Sequence, residues 1–191
     1  MRKGKWCFGL FWLLPALALA QPPATVAQVD LDRYVGKWYE IASIPQYFQR
    51  QCVRDVTAEY ALKHGALSVI NRCATASGEI SEAQGQARIV DTQSNAKLEV
   101  TFVNLFGWRY LFGGDYWIID LAPDYRYAVV GHPGREYAWV LARTPQISAQ
   151  DLTAIANRLQ SNGYDTCSLL TTTQTPILTA RTPLCKAVNG P

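Results

Sequence analysis

Eight short β-rich segments between residues 36 and 143 constrain the fold of this chain more than any other feature. In the fifth segment, Leu98, Val100 and Phe102 share one face and the intervening residues are polar, which is the period of a half-buried strand. Turns such as "KHG", "QSN", "APD" and "HPGR" separate several segments, so neighbouring strands pair antiparallel. Because such a sheet exposes its edges unless it closes, the sequence predicts an all-β, eight-stranded antiparallel up-and-down barrel. The segments cover residues 37–44, 52–62, 66–73, 79–91, 96–103, 115–122, 125–131 and 136–143.

The period changes from strand to helix after the eighth segment. Ser148 is followed at the third position by Asp151, an acidic variant of the capping box, and Gly163 is a C-terminal stop signal. We expect one amphipathic helix that buries its apolar stripe on the outside of the barrel, against the small apolar residues of the last strand. A short strand over 167–172 and a Thr/Pro-rich tail follow. The stripe consists of Leu152, Ile155, Ala156 and Leu159.

Residues 1–20 have the composition of a secretory signal peptide. Three cations precede an apolar core and an A-x-A motif, which predicts cleavage after Ala20. The apolar run is too short for a membrane span. The alternative, a buried N-terminal helix, would leave the clustered cations and tandem prolines without a role. The predicted organisation is a signal peptide over 1–20, a short linker over 21–29, one domain over 30–173 and a C-terminal tail over 174–191.

The charge of the mature chain excludes one class of partner. Cleavage removes three of the 18 Lys and Arg residues and none of the 15 Asp and Glu residues, so the formal net charge becomes zero. No cluster of Lys and Arg remains, and the electrostatic footprint of a nucleic-acid-binding protein is therefore missing. The chain also lacks G-x-S-x-G, P-loop and H-E-x-x-H motifs, and we expect it not to be an enzyme.

Four cysteines remain after cleavage, and an even number in a secreted chain indicates two disulfides. Cys52 begins the second segment and Cys73 ends the third, so the hairpin between them brings both to the same end of the barrel, with a bulge absorbing their unequal offsets. We predict the pairs Cys52–Cys73 and Cys167–Cys185. A metal site is the alternative, but the sequence has no C-x-x-C and only two histidines.

Three short motifs resemble the signature regions of the lipocalin family. The resemblance extends from about residue 30 to about residue 173. The stretches "GKWYEIA", "AKLEVTF", "DYWI" and "WVLARTP" are, more specifically, similar to the bacterial outer-membrane lipocalins and to apolipoprotein D. The motifs are Gly36-Lys37-Trp38, Asp124-Tyr125 before a strand, and Arg143 at the end of the last barrel strand.

This resemblance implies a closed and an open end of the barrel. At the closed end, Trp38 would plug the barrel and Arg143 would pack across it, while Gly36 permits a tight approach of the chain. At the open end it places the loop over residues 44–51 and the connection over 104–114. The second of these carries six apolar or aromatic side chains and a single cation. It would gate the cavity, make transient contact with a membrane, fold back to cap the barrel, or extend two long strands.

The same resemblance implies a ligand cavity, because eight strands enclose space for one small molecule. An apolar wall with a few polar groups suits a fatty acid or a lysophospholipid and requires no cofactor. The alternatives are a barrel filled by its own side chains, a lipocalin-fold enzyme acting on a lipid or isoprenoid, and a tetrapyrrole carrier that uses His132. The predicted ligand contacts, taken from strand alternation, are Val56, Ala58, Tyr60, Val69, Asn71, Val100, Phe102, Tyr116, Ile118, Trp139 and Leu141.

Two differences from the similar lipocalins bear on the location of the protein and on its disulfide pairing. Many bacterial members carry a lipobox cysteine after the cleavage site, whereas Gln21 stands there in this chain, so we expect no lipid anchor. We expect a periplasmic or secreted protein, monomeric or weakly dimeric, that stores, repairs or transports envelope lipids. Apolipoprotein D offers Cys52–Cys185 as a rival to the disulfide pairing given above.

Overall fold

The computed structural model describes residues 21–63, 65–176 and 180–188. The predicted signal peptide lies outside these residues. The helices are α1 (Leu31–Tyr34), α2 (Ala149–Ser161) and α3 (Leu184–Ala187), with 3-10 turns at Tyr47–Gln49 and Tyr110–Phe112. The strands are β1 (Gly36–Ser43), β2 (Arg54–Lys63), β3 (Ala66–Ala74), β4 (Ile80–Ile89), β5 (Lys97–Thr101), β6 (Gly114–Leu121), β7 (Tyr127–Gly131), β8 (Ala138–Ala142) and β9 (Leu170–Thr171).

Strands β1 to β8 form a closed antiparallel barrel, which confirms the predicted fold class. Neighbours in sequence pair along the sheet from β2 to β8, and β1 closes it by pairing with both β8 and β2. Strand β9 lies outside this barrel and pairs with β1 at Ala42 and Ser43, beyond the last pair that β1 forms with β2. Asp55 at the start of β2 donates its N–H to the carbonyl oxygen of Thr173 at 2.9 Å. The C-terminal tail therefore connects the end of β1 to the start of β2.

Helix α2 packs on the outside of the barrel, as its apolar stripe predicts. Ser148 caps it by accepting the N–H of Asp151 at 3.0 Å. Ile155 and Leu159 are fully buried in one apolar cluster with Val140, an outward-facing residue of β8. No helix in the part of the chain that the structure describes is long and apolar enough to cross a membrane.

The N-terminal residues cover one end of the barrel, with a short helix that the sequence did not predict. Val29 is buried, and its N–H donates to the carbonyl oxygen of Ser94 in the β4–β5 turn at 2.7 Å. Asp30 caps α1 by accepting the N–H of Asp32. This helix delivers Tyr34 to the base of the barrel, where its side chain is buried. The covered end is referred to below as the floor, and the opposite end as the mouth.

Candidate ligand-binding site

Strand pairing places the predicted ligand contacts on the interior face of the barrel. Directly opposed residues in an antiparallel ladder point to the same side of the sheet. Ala58 is opposite Asn71 and Tyr60 is opposite Val69, while Val56 lies one alternation earlier and is also buried. That these side chains contact a ligand stays a prediction. The interior apolar cluster contains Ala58, Tyr60, Val69, Tyr116, Ile118 and Leu141, with Val100 and Trp139 packed against it.

The floor is built on Trp38 and Arg143, as the resemblance implied. Trp38 is fully buried, and the guanidinium carbon of Arg143 lies 3.7 Å from the centroid of its ring. The two terminal nitrogens of Arg143 also donate to the carbonyl oxygens of Arg33 at 2.6 Å and Lys37 at 3.0 Å. Gly36 has φ +93°, in the left-handed region, and a Cβ there would lie 3.4 Å from Arg143. The cation–π contact is worth about 0.5–2 kcal/mol beyond the buried area.

Asp124 and Tyr125 tie the β6–β7 turn to the N-terminal segment at the same end. The Tyr125 hydroxyl accepts the N–H of Asp30 at 2.8 Å, and the Arg33 guanidinium lies 4.0 Å from the Tyr125 ring centroid. The Asp124 carboxylate forms an exposed ion pair with Arg126 at 2.9 Å. These contacts are structural, and none of them faces the barrel interior near its mouth.

Three tyrosines fill the interior directly above Trp38. The hydroxyl of Tyr116 lies 2.7 Å from that of Tyr34 and 3.0 Å from that of Tyr60, so the three form a buried hydrogen-bonded chain. Burial disfavours the phenolate, which raises the pKa of Tyr60 to about 12 and the pKa values of Tyr34 and Tyr116 well above the usual range. Two of the predicted ligand contacts, Tyr60 and Tyr116, thus belong to a layer of tyrosines, the tyrosine layer, whose hydroxyls are hydrogen-bonded to one another without a ligand.

Above this layer the wall of β4 carries only small inward residues. Ala83 is opposite Asn71, and Gly85 is opposite Val69, so both face the interior. The Phe102 ring lies over Gly85, where an added Cβ would come within 2.8 Å of ring carbons. Phe102 is nevertheless 43% exposed, and Ala83 is exposed too. Solvent therefore reaches the interior faces of β4 and β5 at this end of the barrel, where β4 extends beyond its pairing with β5.

A cavity of about 390 Å³ opens at the mouth, in the size range of small-ligand pockets. One wall includes Cys52, which forms the predicted disulfide with Cys73. The second predicted disulfide, Cys167–Cys185, ties the tail that supplies another wall, and the rival pairing is wrong. The lining consists of Glu40, Ser43, Pro45, Gln46, Tyr47, Gln49, Arg50, Cys52, Val53, Val56, Thr172 and Arg181.

Glu40 is a lining residue that the sequence reasoning missed. It is only 4% exposed, although carboxylates are seldom buried without a partner cation. Its Oε1 accepts hydrogen bonds from Ser43 Oγ at 2.9 Å and Thr172 Oγ1 at 2.6 Å, and its Oε2 accepts one from Gln49 Nε2 at 3.1 Å. An acidic residue inside the apolar run "WYEIA" was the available signal. Alternation from Trp38 places Glu40 on the interior face, but its partners could not be read from the sequence, since Ser43 joins that face only after a register shift and Thr172 is 132 residues away.

The loops at the mouth expose large apolar side chains. In the β5–β6 connection, Phe106 is 95% exposed and Leu111 is 91% exposed. Tyr47 in the β1–β2 loop is also largely exposed. Of the four interpretations of residues 104–114, folding back to cap the barrel is wrong for these two side chains, and an extension of two long strands is wrong because β5 ends at Thr101 and β6 begins at Gly114. They form an apolar rim at the open end.

His132, the residue on which the tetrapyrrole alternative depends, lies in the β7–β8 loop. Its Nδ1 is 2.5 Å from Glu136 Oε2, and its ring packs edge-on against Tyr137. It does not line the mouth cavity. The imidazole is therefore engaged by protein groups at the rim.

Comparisons with known proteins agree with this architecture. A family profile described as a lipocalin-like domain matches residues 29–174. Temperature-induced lipocalin-1 of Arabidopsis thaliana is 36% identical over 152 residues, which cover 78% of this chain and 81% of that protein. The outer membrane lipoprotein Blc of Escherichia coli strain K12 is 37% identical, with 81% of this chain and 86% of that protein covered. Apolipoprotein D of Macaca fascicularis is 33% identical, with 80% of each chain covered.

The fold alone also matches solved structures of low sequence identity. Insecticyanin from the tobacco hornworm Manduca sexta superposes with a TM-score of 0.62 at 22% identity, covering 83% of this chain and 87% of that one.

Proposed function

The chain belongs to the lipocalin family, and from that premise we propose that it carries a single-chain lipid, a fatty acid or a lysophospholipid, inside the barrel. The exposure of the inward-facing Ala83 and Phe102 carries the proposal, because apolar interior side chains that solvent reaches are also within reach of a ligand, which we place in the volume between the tyrosine layer and the mouth. The walls of that volume are apolar, with Asn71 as a polar group among them. An elongated apolar molecule with one polar end fits such a space better than a sugar or a nucleotide.

The energy of binding would come from the acyl chain. Each methylene group buried contributes about 0.8 kcal/mol, so a chain that reaches the tyrosine layer binds without a charged clamp on the chain itself. Trp139 borders this volume at the level of the mouth, where its Nε1–H donates to Gln49 Oε1 at 3.2 Å. We expect its fluorescence to change on ligand binding, against the background of Trp38, Trp108 and Trp117.

Native mass spectrometry of protein purified from an oxidising compartment, followed by solvent extraction, tests the proposal. We expect an adduct of a few hundred daltons that extracts as a fatty acid or lysophospholipid. The structure offers a matched pair of variants on β4: Ala83→Trp fills the interior, whereas Gln84→Trp places the same ring on the outer face. We expect Ala83→Trp to weaken acyl-lipid binding more than about tenfold and Gln84→Trp to leave it unchanged.

Other outcomes separate the alternatives. A protein that stays free of ligand after incubation with acyl lipids would overturn the carrier function. Release of a chemically altered lipid would indicate the lipocalin-fold enzyme, and a coloured preparation with a Soret band would indicate a tetrapyrrole.

We also propose that the apolar rim makes transient contact with membranes. The exposed Phe106, Leu111 and Tyr47 lie at the open end, so docking through them would place the cavity entrance against the bilayer. Flotation of the ligand-free protein with phosphatidylcholine vesicles tests this, and we expect weak, salt-insensitive association. Concentration-dependent dimerisation in light scattering without flotation would instead assign the rim to a second copy of the chain.

The location and the biological role follow the same proposal. We propose that the chain is exported, loses residues 1–20, and serves as a periplasmic or secreted protein that maintains envelope lipids without a lipid anchor. Intact mass of the mature protein checks the cleavage, since it should begin at Gln21 and carry no acyl modification. A mass that includes residues 1–20, or an attached acyl chain, would contradict it.

A further inference from the structure

We propose that Glu40 is the receptor for an ammonium group in the headgroup of the bound lipid, so that the preferred ligand is a single-chain phospholipid with a zwitterionic headgroup. This rests on the proposed function and deepens it, because it selects between the two lipid classes named there. The observation that carries it is a buried carboxylate at a cavity wall that forms no ion pair with any of the described residues.

The hydrogen bonds of Glu40 do not neutralise it. Ser43, Thr172 and Gln49 are uncharged donors, and no ion pair links Glu40 to any of the residues that the structure describes. A carboxylate has about four acceptor positions, and only one of the three bonds ends on Oε2. Oε2 therefore retains acceptor capacity for a further donor. Burying a carboxylate without a counter-charge is costly, and a cationic ligand group would offset that cost.

The same cavity carries cations at a different place. Arg50 and Arg181 line it, and both are exposed to solvent. Neither lies within ion-pair distance of Glu40. The cavity thus offers a carboxylate among buried side chains and guanidinium groups at the surface. A headgroup with an ammonium and a phosphate complements this arrangement, because Arg is well suited to phosphate and Glu40 to the ammonium.

The cavity borders the barrel interior in which we place the acyl chain. Glu40 is opposite Leu141 and Ser43 is opposite Trp139 in the β1–β8 pairing, so both face the barrel interior. Val56, an inward residue of β2, lines the cavity as well. One molecule can therefore place its chain in the upper barrel and its headgroup beside Glu40.

The test compares lysophosphatidylethanolamine with lysophosphatidic acid of the same acyl chain, by Trp fluorescence titration. In the wild-type protein we expect tighter binding of the ethanolamine lipid. Glu40→Gln keeps a carbonyl oxygen for Ser43 and Thr172 but removes the charge, and we expect it to weaken binding of the ethanolamine lipid about tenfold or more while leaving lysophosphatidic acid within about twofold. Glu136→Gln is the matched control, since it removes an exposed carboxylate at the mouth that does not line the cavity.

The remaining outcomes are decisive as well. Equal wild-type affinity for the two lipids, or equal weakening of both by Glu40→Gln, would overturn the role of Glu40 and leave the carrier function intact. Binding of neither lipid would overturn the carrier function itself. If Glu40→Gln fails to fold, N-acetylation of the ethanolamine lipid removes the ammonium without any substitution, and undiminished wild-type binding of that lipid would overturn the inference. Free phosphoethanolamine should not compete, because it lacks the acyl chain.

Discussion

The floor and the mouth of this barrel use similar side chains in opposite ways. At the floor, the polar groups are paired within the protein. Arg143 stacks on Trp38 and donates to the carbonyl oxygen of Arg33, and the Tyr116 hydroxyl is hydrogen-bonded to that of Tyr34. At the mouth, Phe106 is exposed, and Glu40 is buried without an ion pair to any residue in the described part of the chain. The difference shows what separates a structural from a functional side chain. An aromatic or charged residue is structural where the protein supplies its packing and hydrogen-bonding partners, and it is available for recognition where the protein does not. Stability should depend mainly on the floor, and recognition on the mouth.

Replacement of Trp38 should have the largest effect on stability. Trp38→Ala removes a fully buried ring from between Tyr34 and Arg143, and we expect a loss of about 3–5 kcal/mol in the free energy of unfolding. Trp117→Ala is the control, because that half-buried ring lies on the outer face against Lys97 and should cost about 1–2 kcal/mol. Urea denaturation measures both. Equal losses for the two variants would break the assignment of stability to the floor.

The two disulfides sharpen the comparison, since both tie chain segments that border the mouth cavity. Their sequence separations, 21 for Cys52–Cys73 and 18 for Cys167–Cys185, are nearly equal. Restriction of the unfolded chain therefore predicts similar losses of about 2–4 kcal/mol when each pair is changed to serine. Urea midpoints of the two double variants give the comparison. A difference well above 1 kcal/mol would show that one bridge acts through native contacts at the mouth.

Features that depend on local sequence pattern could be predicted, whereas features that depend on contacts between distant residues could not. Periodicity was sufficient for the eight strands, for helix α2 and for the interior position of residues such as Val69, because these depend on local pattern. The tyrosine chain was out of reach, since Tyr34 and Tyr116 are 82 residues apart and meet only after the barrel has closed. Glu40 was missed for a related reason: the register shift in β1 and the distant Thr172 create its environment.

The tyrosine chain should give an intermediate, pH-dependent effect. The pKa of Tyr60 is raised to about 12 by burial, so above pH 10 the unfolded chain loses a proton that the folded chain keeps. The stability associated with Tyr60 is thus complete below pH 10 and decreases between pH 10 and about 12, by about 1.4 kcal/mol per pH unit. Absorbance at 295 nm, followed with urea midpoints from pH 8 upward, tests this. Ionisation of all the tyrosines near pH 10 in the folded protein would contradict it.

Tyr116→Phe isolates the contribution of the central hydroxyl. At pH 7 this variant should lose about 1–3 kcal/mol, because Tyr34 and Tyr60 keep buried hydroxyls that no longer share a partner. Its stability should also decline less steeply above pH 10 than that of the wild type, since one buried titrating group is gone. An unchanged decline would mean that other groups dominate the alkaline response.

The apolar rim should show the smallest effect on stability and still a clear effect on function. Phe106→Ser combined with Leu111→Ser changes two side chains that are 95% and 91% exposed, so we expect the free energy of unfolding to stay within about 0.5 kcal/mol of the wild type. Binding of a dispersed lysophospholipid should be unchanged, whereas flotation with vesicles and the rate of lipid transfer from them should fall. A matched double change on the exposed side of α2, Gln150→Ser with Asn157→Ser, should alter none of these. A loss of stability or of affinity for dispersed lipid in the rim variant would contradict this prediction. Phe106 and Leu111 would then contribute to the fold or to the cavity, and the division of roles between floor and mouth would not hold for the most exposed side chains of the mouth.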